Sequence, residues 1–320
     1  MQVHDQQLLV RAVRLEAQDI VSLELTSPSG GLLTPFTAGS HIDLHLPEGL
    51  VRSYSLMSPD TCNDRYMIAV YHEPKSNGGS RYVHSRLRIG EMLTVSGPRN
   101  HFSVADDGAR HVLFAGGIGI TPICSMVDRL ARLGRDWTLY YCVQTVAKAA
   151  FCDELRALAD RSGGTVNFNF DGEPGGRMLD INAVVSAEPA DVHLYCCGPK
   201  GMLEAFRTAC ADRPQSHVHF EYFAADTHAA TEKTFTLVLS RSGSRLTVPE
   251  GSTILKVLLA HGVNVPYSCE QGICGACETK VLSGEPDHRD QILTNEERAS
   301  GTTMMVCCSG CRSDELVLDL

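Results

Sequence analysis

The sequence predicts a three-domain chain: an antiparallel β-barrel, then a Rossmann-like α/β domain, then a small α+β domain. Three observations predict it. Short stretches alternating apolar and polar residues fill residues 1–104. Apolar runs ending in glycine alternate with helical spacing over residues 105–226. Three cysteines crowd into a glycine-rich loop within residues 227–320.

In the first domain, "LLVRAVRLEAQDIVSLELTS" alternates over two stretches, and "SHIDLHL" sets Ile42, Leu44 and Leu46 on one face. "RSYSLMS" and "RYMIAVYHE" repeat the habit, with joints at Pro35, Gly39, Pro47, Gly49 and Gly97. Several short strands at regular spacing predict a closed or nearly closed barrel. Within it, Arg52 and the Gly78–Ser80 turn form a natural phosphate site. A guanidinium grips phosphate with paired hydrogen bonds, and the turn offers N–H groups and a hydroxyl. The ring of Tyr54 can pack on a planar ligand.

In the second domain, "HVLFAGG" is a buried-strand run, and "TPICSMVDRLARLG" has helical spacing at Ile123, Met126, Val127, Leu130 and Leu133. Gly134 supplies its stop. "WTLYYCV", "FCDELRALAD", "TVNFNF", "VHLYCCG", "KGMLEAFRTAC" and "HVHFEYF" continue the alternation of a parallel sheet covered on both faces. Ligands of such sheets sit beyond the carboxyl ends of the strands. Three motifs fall there. In "AGGIGITP", Gly116, Gly117 and Gly119 allow backbone to approach a pyrophosphate, Thr121 can cap the next helix and Pro122 suits its first position. "YCCGPKGM" puts Cys197, Gly198 and Pro199 at a strand tip, and "EYF" puts Phe223 where it can lie over a flat ring.

The third domain follows "AADTHAATEKT", which reads as a linker. "FTLVLSRSGSRLTV" predicts a hairpin, "STILKVLLAHG" a short capped helix and "ELVLDL" a closing strand. Cys269, Cys274 and Cys277 are spaced Cys-x4-Cys-x2-Cys, the spacing of plant-type [2Fe–2S] sites, whose fourth cysteine comes from far downstream. Structural zinc sites instead pair their cysteines as knuckles. The tail offers Cys307, Cys308 and Cys311. Neighbours in an extended segment point to opposite sides, so Cys307 and Cys308 cannot both face one cluster, and pattern alone does not choose. Cys311 lies past Gly310 in what reads as a turn, and "PDHRD" (286–290) reads as a polar turn without a chemical role.

A net charge of −10 argues against a nucleic-acid partner. No apolar run approaches the roughly 18 residues of a membrane span, and the start lacks a secretory pattern, which predicts a cytoplasmic chain with no membrane partner. Thirteen cysteines in a reducing compartment are ligands and buried thiols rather than a disulfide framework.

"RSYSL", "GGS", "AGGIGITP", "YCCGP" and "SCEQGICGACETKVLSGEPDHRD" stand in the order found in the phthalate dioxygenase reductase family, which the whole chain resembles. The family comprises the reductases of two-component Rieske oxygenases. The resemblance implies FMN on the barrel, NADH on the middle domain and a plant-type ferredoxin (β-grasp) domain at the end. Position by position, Arg52, Ser53, Tyr54, Ser55 and Ala69 would contact FMN, with Gly78, Gly79 and Ser80 at its phosphate. Gly116, Gly117, Gly119, Thr121 and Pro122 would line the nicotinamide nucleotide site, with Cys197, Gly198 and Pro199 beside the nicotinamide. Cys197 and Phe223 would stand closest to the reacting rings. The fourth ligand would be Cys307, which directly follows Met305–Val306. Gln144 departs from the family, where relatives often carry arginine.

The implied activity is electron transfer from NADH through FMN and [2Fe–2S] to a terminal Rieske oxygenase or demethylase. NADH yields two electrons together and a cluster takes one, so a flavin must stand between them. A monooxygenase acting on a quaternary amine is an alternative acceptor. A non-enzymatic redox sensor is the alternative of another class.

Overall fold

The computed structural model describes residues 5–74, 78–223, 231–267, 270, 272 and 275–320. The chain divides into two compact units, Met1–Phe223 and Ala224–Leu320.

The first unit opens with six strands: β1 (Gln6–Ala17), β2 (Ile20–Thr26), β3 (His41–His45), β4 (Val51–Ser55), β5 (Arg65–Tyr71) and β6 (Met92–Arg99). They form one antiparallel sheet in the order β4-β3-β6-β1-β2-β5. The Met57 N–H donates to the Met67 carbonyl at 2.9 Å, drawing the chain that leaves β4 against β5 and wrapping the sheet towards a barrel. Ile42, Leu44 and Leu46 point into its core, as alternation predicts. The opposite face of β3 is buried too. Asp43 is satisfied there by Ser53 and by an ion pair with Arg99. The helix α1 (Gly79–Ser85) connects β5 to β6.

The nucleotide-fold half has β7 (Arg110–Gly116), α2 (Ile120–Arg132), β8 (Asp136–Val143), α3 (Cys152–Ser162), β9 (Thr165–Phe170), α4 (Ile181–Ala187), β10 (His193–Cys197), α5 (Lys200–Ala209) and β11 (Val218–Glu221). The sheet order is β11-β10-β7-β8-β9, parallel throughout. The chain goes from β7 to one side and later to β10 on the other, so the switch point lies between β7 and β10. Ile123, Met126, Val127 and Leu130 are wholly buried, but Leu133 is 42% exposed. Leu133 has become the C-cap, ahead of Gly134 at φ 64°, and so falls off the buried stripe.

Barrel and parallel sheet share a core. Ile20, Ala38, Ala69 and Phe102 pack with Leu113, Ile120, Met126 and Tyr195. Buried Asp60 of the barrel pairs with Arg129 (2.7 Å) and Arg132 on α2, and Arg129 reaches on to Asp106. One carboxylate held by two guanidiniums fixes orientation, because removing either partner strands a buried charge.

The second unit contains β12 (Phe235–Leu239), β13 (Arg245–Val248), α6 (Ile254–Ala260), β14 (Glu278–Ser283), β15 (Pro286–Asp287), α7 (Asn295–Ser300), β16 (Thr303–Met305), β17 (Gly310–Cys311) and β18 (Glu315–Leu318). Its main sheet runs β13-β12-β18-β14-β16, with β12 and β18 parallel. Thr253 caps α6 by accepting from the Lys256 N–H, and α6 lays Ile254, Leu255, Val257 and Leu258 on the core. The sequence-predicted hairpin and closing strand are β12–β13 and β18. The linker reading lies largely outside the described residues. Among the described residues no helix is long and apolar enough to cross a membrane.

Two readings of the tail are corrected. Cys311 is in a strand, not a turn: β17 pairs with β15, and the thiol is buried and donates to the Ser313 carbonyl at 3.2 Å. "PDHRD" begins as strand β15 rather than as a turn and ends in Asp290, which is 1% exposed.

Candidate functional site

At the switch point the two glycine turns press together. A methyl group on Gly116 would lie 2.5 Å from Cδ of Pro199, and one on Gly119 would lie 2.2 Å from the Cys197 carbonyl oxygen. Only glycine permits that approach, which leaves a backbone-lined crevice at the strand ends. Gly117 adopts φ 53° at the bend into α2. The helix starts earlier than the sequence predicts. Gly119 is the N-cap with no side-chain bond, and Thr121 lies inside the first turn, its hydroxyl donating back to the Ile118 carbonyl at 3.0 Å. The short turn Gly117–Gly119 winds directly into α2 and takes the capping position from Thr121. Pro122 still fits, since first-turn N–H groups need no helical partner.

Cys197 is wholly enclosed, and burial pushes its thiol well above the ordinary range, so it presents a neutral S–H rather than a thiolate. Its register partner on β11 is Glu221. Burial pushes the Glu221 carboxyl up to about 8, and its Oε2 is sealed with no partner among the described residues. Sequence reasoning singled out the "EYF" end for Phe223 and missed Glu221. The available signal was a carboxylate at the last position of a parallel strand. Phe223 packs against the core shared by barrel and sheet.

At the adenosine end expected beyond β8, the Gln144 side chain accepts from Lys148 Nζ at 2.8 Å, and its carbonyl accepts from the Gly172 N–H. A cavity of about 550 Å³ opens nearby in sequence, along the end of β9 between Phe168 and Asp180.

On the barrel, Arg52 and Tyr54 sit opposite Leu44 and Ile42 across β3, whereas Ser53 and Ser55 lie on the other face. As β4 is the edge strand, a ligand along that edge can reach both faces. The stem of Arg52 lies over the glycine turn: a methyl on Gly79 would meet Arg52 Cγ at 2.7 Å. Ser80 Oγ accepts from the Glu73 N–H at 3.2 Å. Burial holds the Tyr54 hydroxyl protonated, pushed up to about 12. Ser53 is engaged with Asp43 at 2.7 Å. Ala69 is buried in the core that joins barrel and sheet.

In the second unit Cys277 and Cys307 are both buried; Cys277 immediately precedes β14 and Cys307 lies two residues past the end of β16, and these two strands pair. The Val306 N–H donates to the Cys277 carbonyl at 3.4 Å, setting Cys307 one residue beyond that link. Cys269 and Cys274 lie outside the described residues. Gly272 and Gly275 both have φ near 70°, and a methyl on Gly272 would sit 2.4 Å from Sγ of Cys308. Cys308 thus packs beneath the loop. Buried thiol donors beside a glycine-only backbone suit an iron–sulfur cluster.

Residues 237–312 match the 2Fe-2S iron-sulfur cluster binding domain family, and residues 113–208 match the oxidoreductase NAD-binding domain family. The "Phenoxybenzoate dioxygenase subunit beta" of Ectopseudomonas oleovorans is 49% identical, over 98% of this chain and 97% of its own. The solved phthalate dioxygenase reductase, a modular structure for electron transfer from pyridine nucleotides to [2Fe–2S], is 38% identical, with a TM-score of 0.75 over 99% of this chain and 98% of that one. The chain belongs to the phthalate dioxygenase reductase family. It is an NAD-dependent oxidoreductase with a [2Fe–2S] ferredoxin domain. An intact type IV self-sufficient cytochrome P450 monooxygenase matches with a TM-score of 0.87 at 38% identity. This family member spans 99% of its own length there but 41% of that larger chain.

Proposed function

We propose that this chain draws electrons from NADH at the β7–β10 switch point and passes them through FMN and its [2Fe–2S] cluster to a terminal Rieske-type oxygenase acting on an aromatic compound. The observation that carries the reading is the shared core. Barrel Ala69 and sheet residue Cys197 belong to one buried cluster, and Phe223 packs on it, so a flavin on the barrel edge and a nicotinamide at the strand ends can meet. The 49% identical dioxygenase subunit supports the choice of acceptor.

In this reading Arg52, Gly78, Gly79 and Ser80 hold the FMN phosphate, and Ser53, Tyr54, Ser55 and Ala69 border its ring. Gly116, Gly117, Gly119, Thr121 and Pro122 take the dinucleotide. Cys197, Gly198 and Pro199 would seat the nicotinamide, with Phe223 stacked near the flavin. Cys269, Cys274, Cys277 and Cys307 hold the iron. A bound flavin accepts an electron pair and returns it singly, which is why it stands between nucleotide and cluster. The neutral Cys197 and the raised carboxyl of Glu221 keep charge away from the ring edge. The domains divide as 1–104, 105–226 and 227–320. The cytoplasm, where thiols stay reduced, is the compartment that suits thirteen cysteines.

Reconstitution tests the reading. The purified chain, NADH and a Rieske oxygenase should hydroxylate or demethylate an aromatic substrate with matched NADH consumption. NADH oxidation that never reaches any Rieske oxygenase, but does reach a haem monooxygenase, would reassign the acceptor.

A further inference from the structure

The segment Asp287–Leu293 lies between the two cysteine-bearing stretches and is bonded to both. The Gln291 N–H donates to the Gly272 carbonyl at 2.9 Å, inside the cysteine loop. The Arg289 N–H donates at 3.3 Å to Oγ of Ser309, a fully buried residue two positions past Cys307. Asp287 pairs with Gly310 through the β15–β17 ladder. The Asp290 Cα would lie 3.0 Å from a methyl on Gly272, so loop and segment are in direct contact.

Asp290 fixes the shape of this segment. Its Oδ2 accepts from the Ile292 N–H at 3.1 Å and the Leu293 N–H at 2.8 Å, closing the backbone on itself. Arg298, on α7, donates to the Asp290 carbonyl at 2.6 Å and stands 3.7 Å from its carboxylate. Oδ1 has no hydrogen-bond partner among the described residues, although His288 Nδ1 is 3.8 Å away. A carboxylate that is 1% exposed carries a desolvation cost, so a neutral residue would serve if shape were all that mattered.

We propose that Asp290 is a positioning residue for the iron–sulfur site: by locking the 287–293 segment it sets the cysteine loop in register with the Cys307 segment. This rests on the ligand assignment above. The two stretches are far apart in sequence, and the segment is bonded to Gly272 on one side and to Ser309 on the other. Charge-assisted bonds from the Ile292 and Leu293 N–H groups to Asp290 stiffen the segment, and its bonds to Gly272 and Ser309 make it a strut that carries that rigidity to both stretches.

The test uses the full-length holoprotein and compares wild type, Asp290→Asn and Asp290→Ala. Iron and flavin per chain, the paramagnetic g values of the reduced cluster and the rate of iron loss to a chelator are read together. Flavin content should be unchanged in all three. Asp290→Ala should lower iron occupancy and shift the g values. Asp290→Asn keeps an acceptor oxygen, so it should restore loading yet lose iron about fivefold faster than wild type, the difference expected between charged and neutral hydrogen bonds. Should the alanine variant fail to fold, the asparagine variant decides alone. Wild-type g values and wild-type iron loss in Asp290→Asn would overturn the strut. A wild-type chain without iron would instead sink the ligand assignment.

Discussion

Gly119 lies against Cys197 so closely that a single methyl group would overlap the Cys197 carbonyl oxygen, at 2.2 Å. The contact joins the helix-opening turn after β7 to the tip of β10 and shapes the crevice proposed for the nucleotide. Gly119→Ala must therefore move one turn away from the other. We expect at least a tenfold rise in the KM for NADH, equivalent to about 1.4 kcal/mol, with flavin content unchanged. Stopped-flow reduction by NADH measures it. An unaltered KM would show that the crevice is not the nucleotide site.

Arg52 should govern flavin retention. Its stem crosses Gly79, where a terminal phosphate would be gripped. Arg52→Ala should weaken binding of FMN by about tenfold to a hundredfold, the loss of a charge-assisted pair. Chromatography of the flavin released on denaturation identifies it. FAD in place of FMN would refute the phosphate assignment.

Acid should loosen the nucleotide-fold half. His219 stacks on Tyr195 and lies 3.1 Å from His193, with His111 and His217 beside it and Asp107 at the cluster's edge. Burial, then the neighbouring histidines, lower His219 to about 4. A histidine free in the unfolded chain titrates near 6.5. The unfolded state therefore binds more protons between these values, so stability is fully present above pH 6.5 and is lost as pH falls towards 4. His219→Gln should flatten this loss, worth up to about 3 kcal/mol. Thermal unfolding at pH 5 and pH 7.5 checks it, and equal pH dependence in both proteins would contradict it.

What the sequence made legible follows from chemistry that tolerates few residues. Gly116 and Gly119 were readable because two turns press together there with no room for a side chain, and Gly117 because its φ of 53° favours glycine. The cysteine spacing was readable because thiolates converge only on metal. Thr121 misled because a tight turn ahead of it started the helix early, which no local preference encodes. Glu221, the histidine stack and Asp290 went unread for one reason: each is buried by partners distant in sequence. "PDHRD" looks like a turn until Gly272 and Ser309 are found on either side of it.

Ending the chain after Phe223, the limit of the first compact unit, should leave a flavoprotein that still reduces ferricyanide with NADH. Reduction of cytochrome c should fall at least tenfold, because the single-electron exit is in the second unit. Steady-state assays with both acceptors decide it. Undiminished cytochrome c reduction would remove the ferredoxin domain from the path.

Docking to the acceptor should weaken with salt. Glu270, Glu278 and Glu285 are exposed on the ferredoxin unit, and exposed charges attract a partner only within a short screening length. Electron transfer to the oxygenase should slow several-fold between about 50 mM and 300 mM salt. A rate flat in ionic strength would assign docking to apolar contacts.

The most direct measurement of the relay is an anaerobic NADH titration followed by the cluster's paramagnetic signal. NADH should produce that signal in the wild-type chain. It should produce none in Arg52→Ala stripped of flavin, and re-adding FMN in excess should restore it. In Cys307→Ser the signal should be absent or badly disturbed, with NADH still bleaching the flavin absorbance. A cluster reduced by NADH without flavin, or a normal signal in Cys307→Ser, would contradict the account.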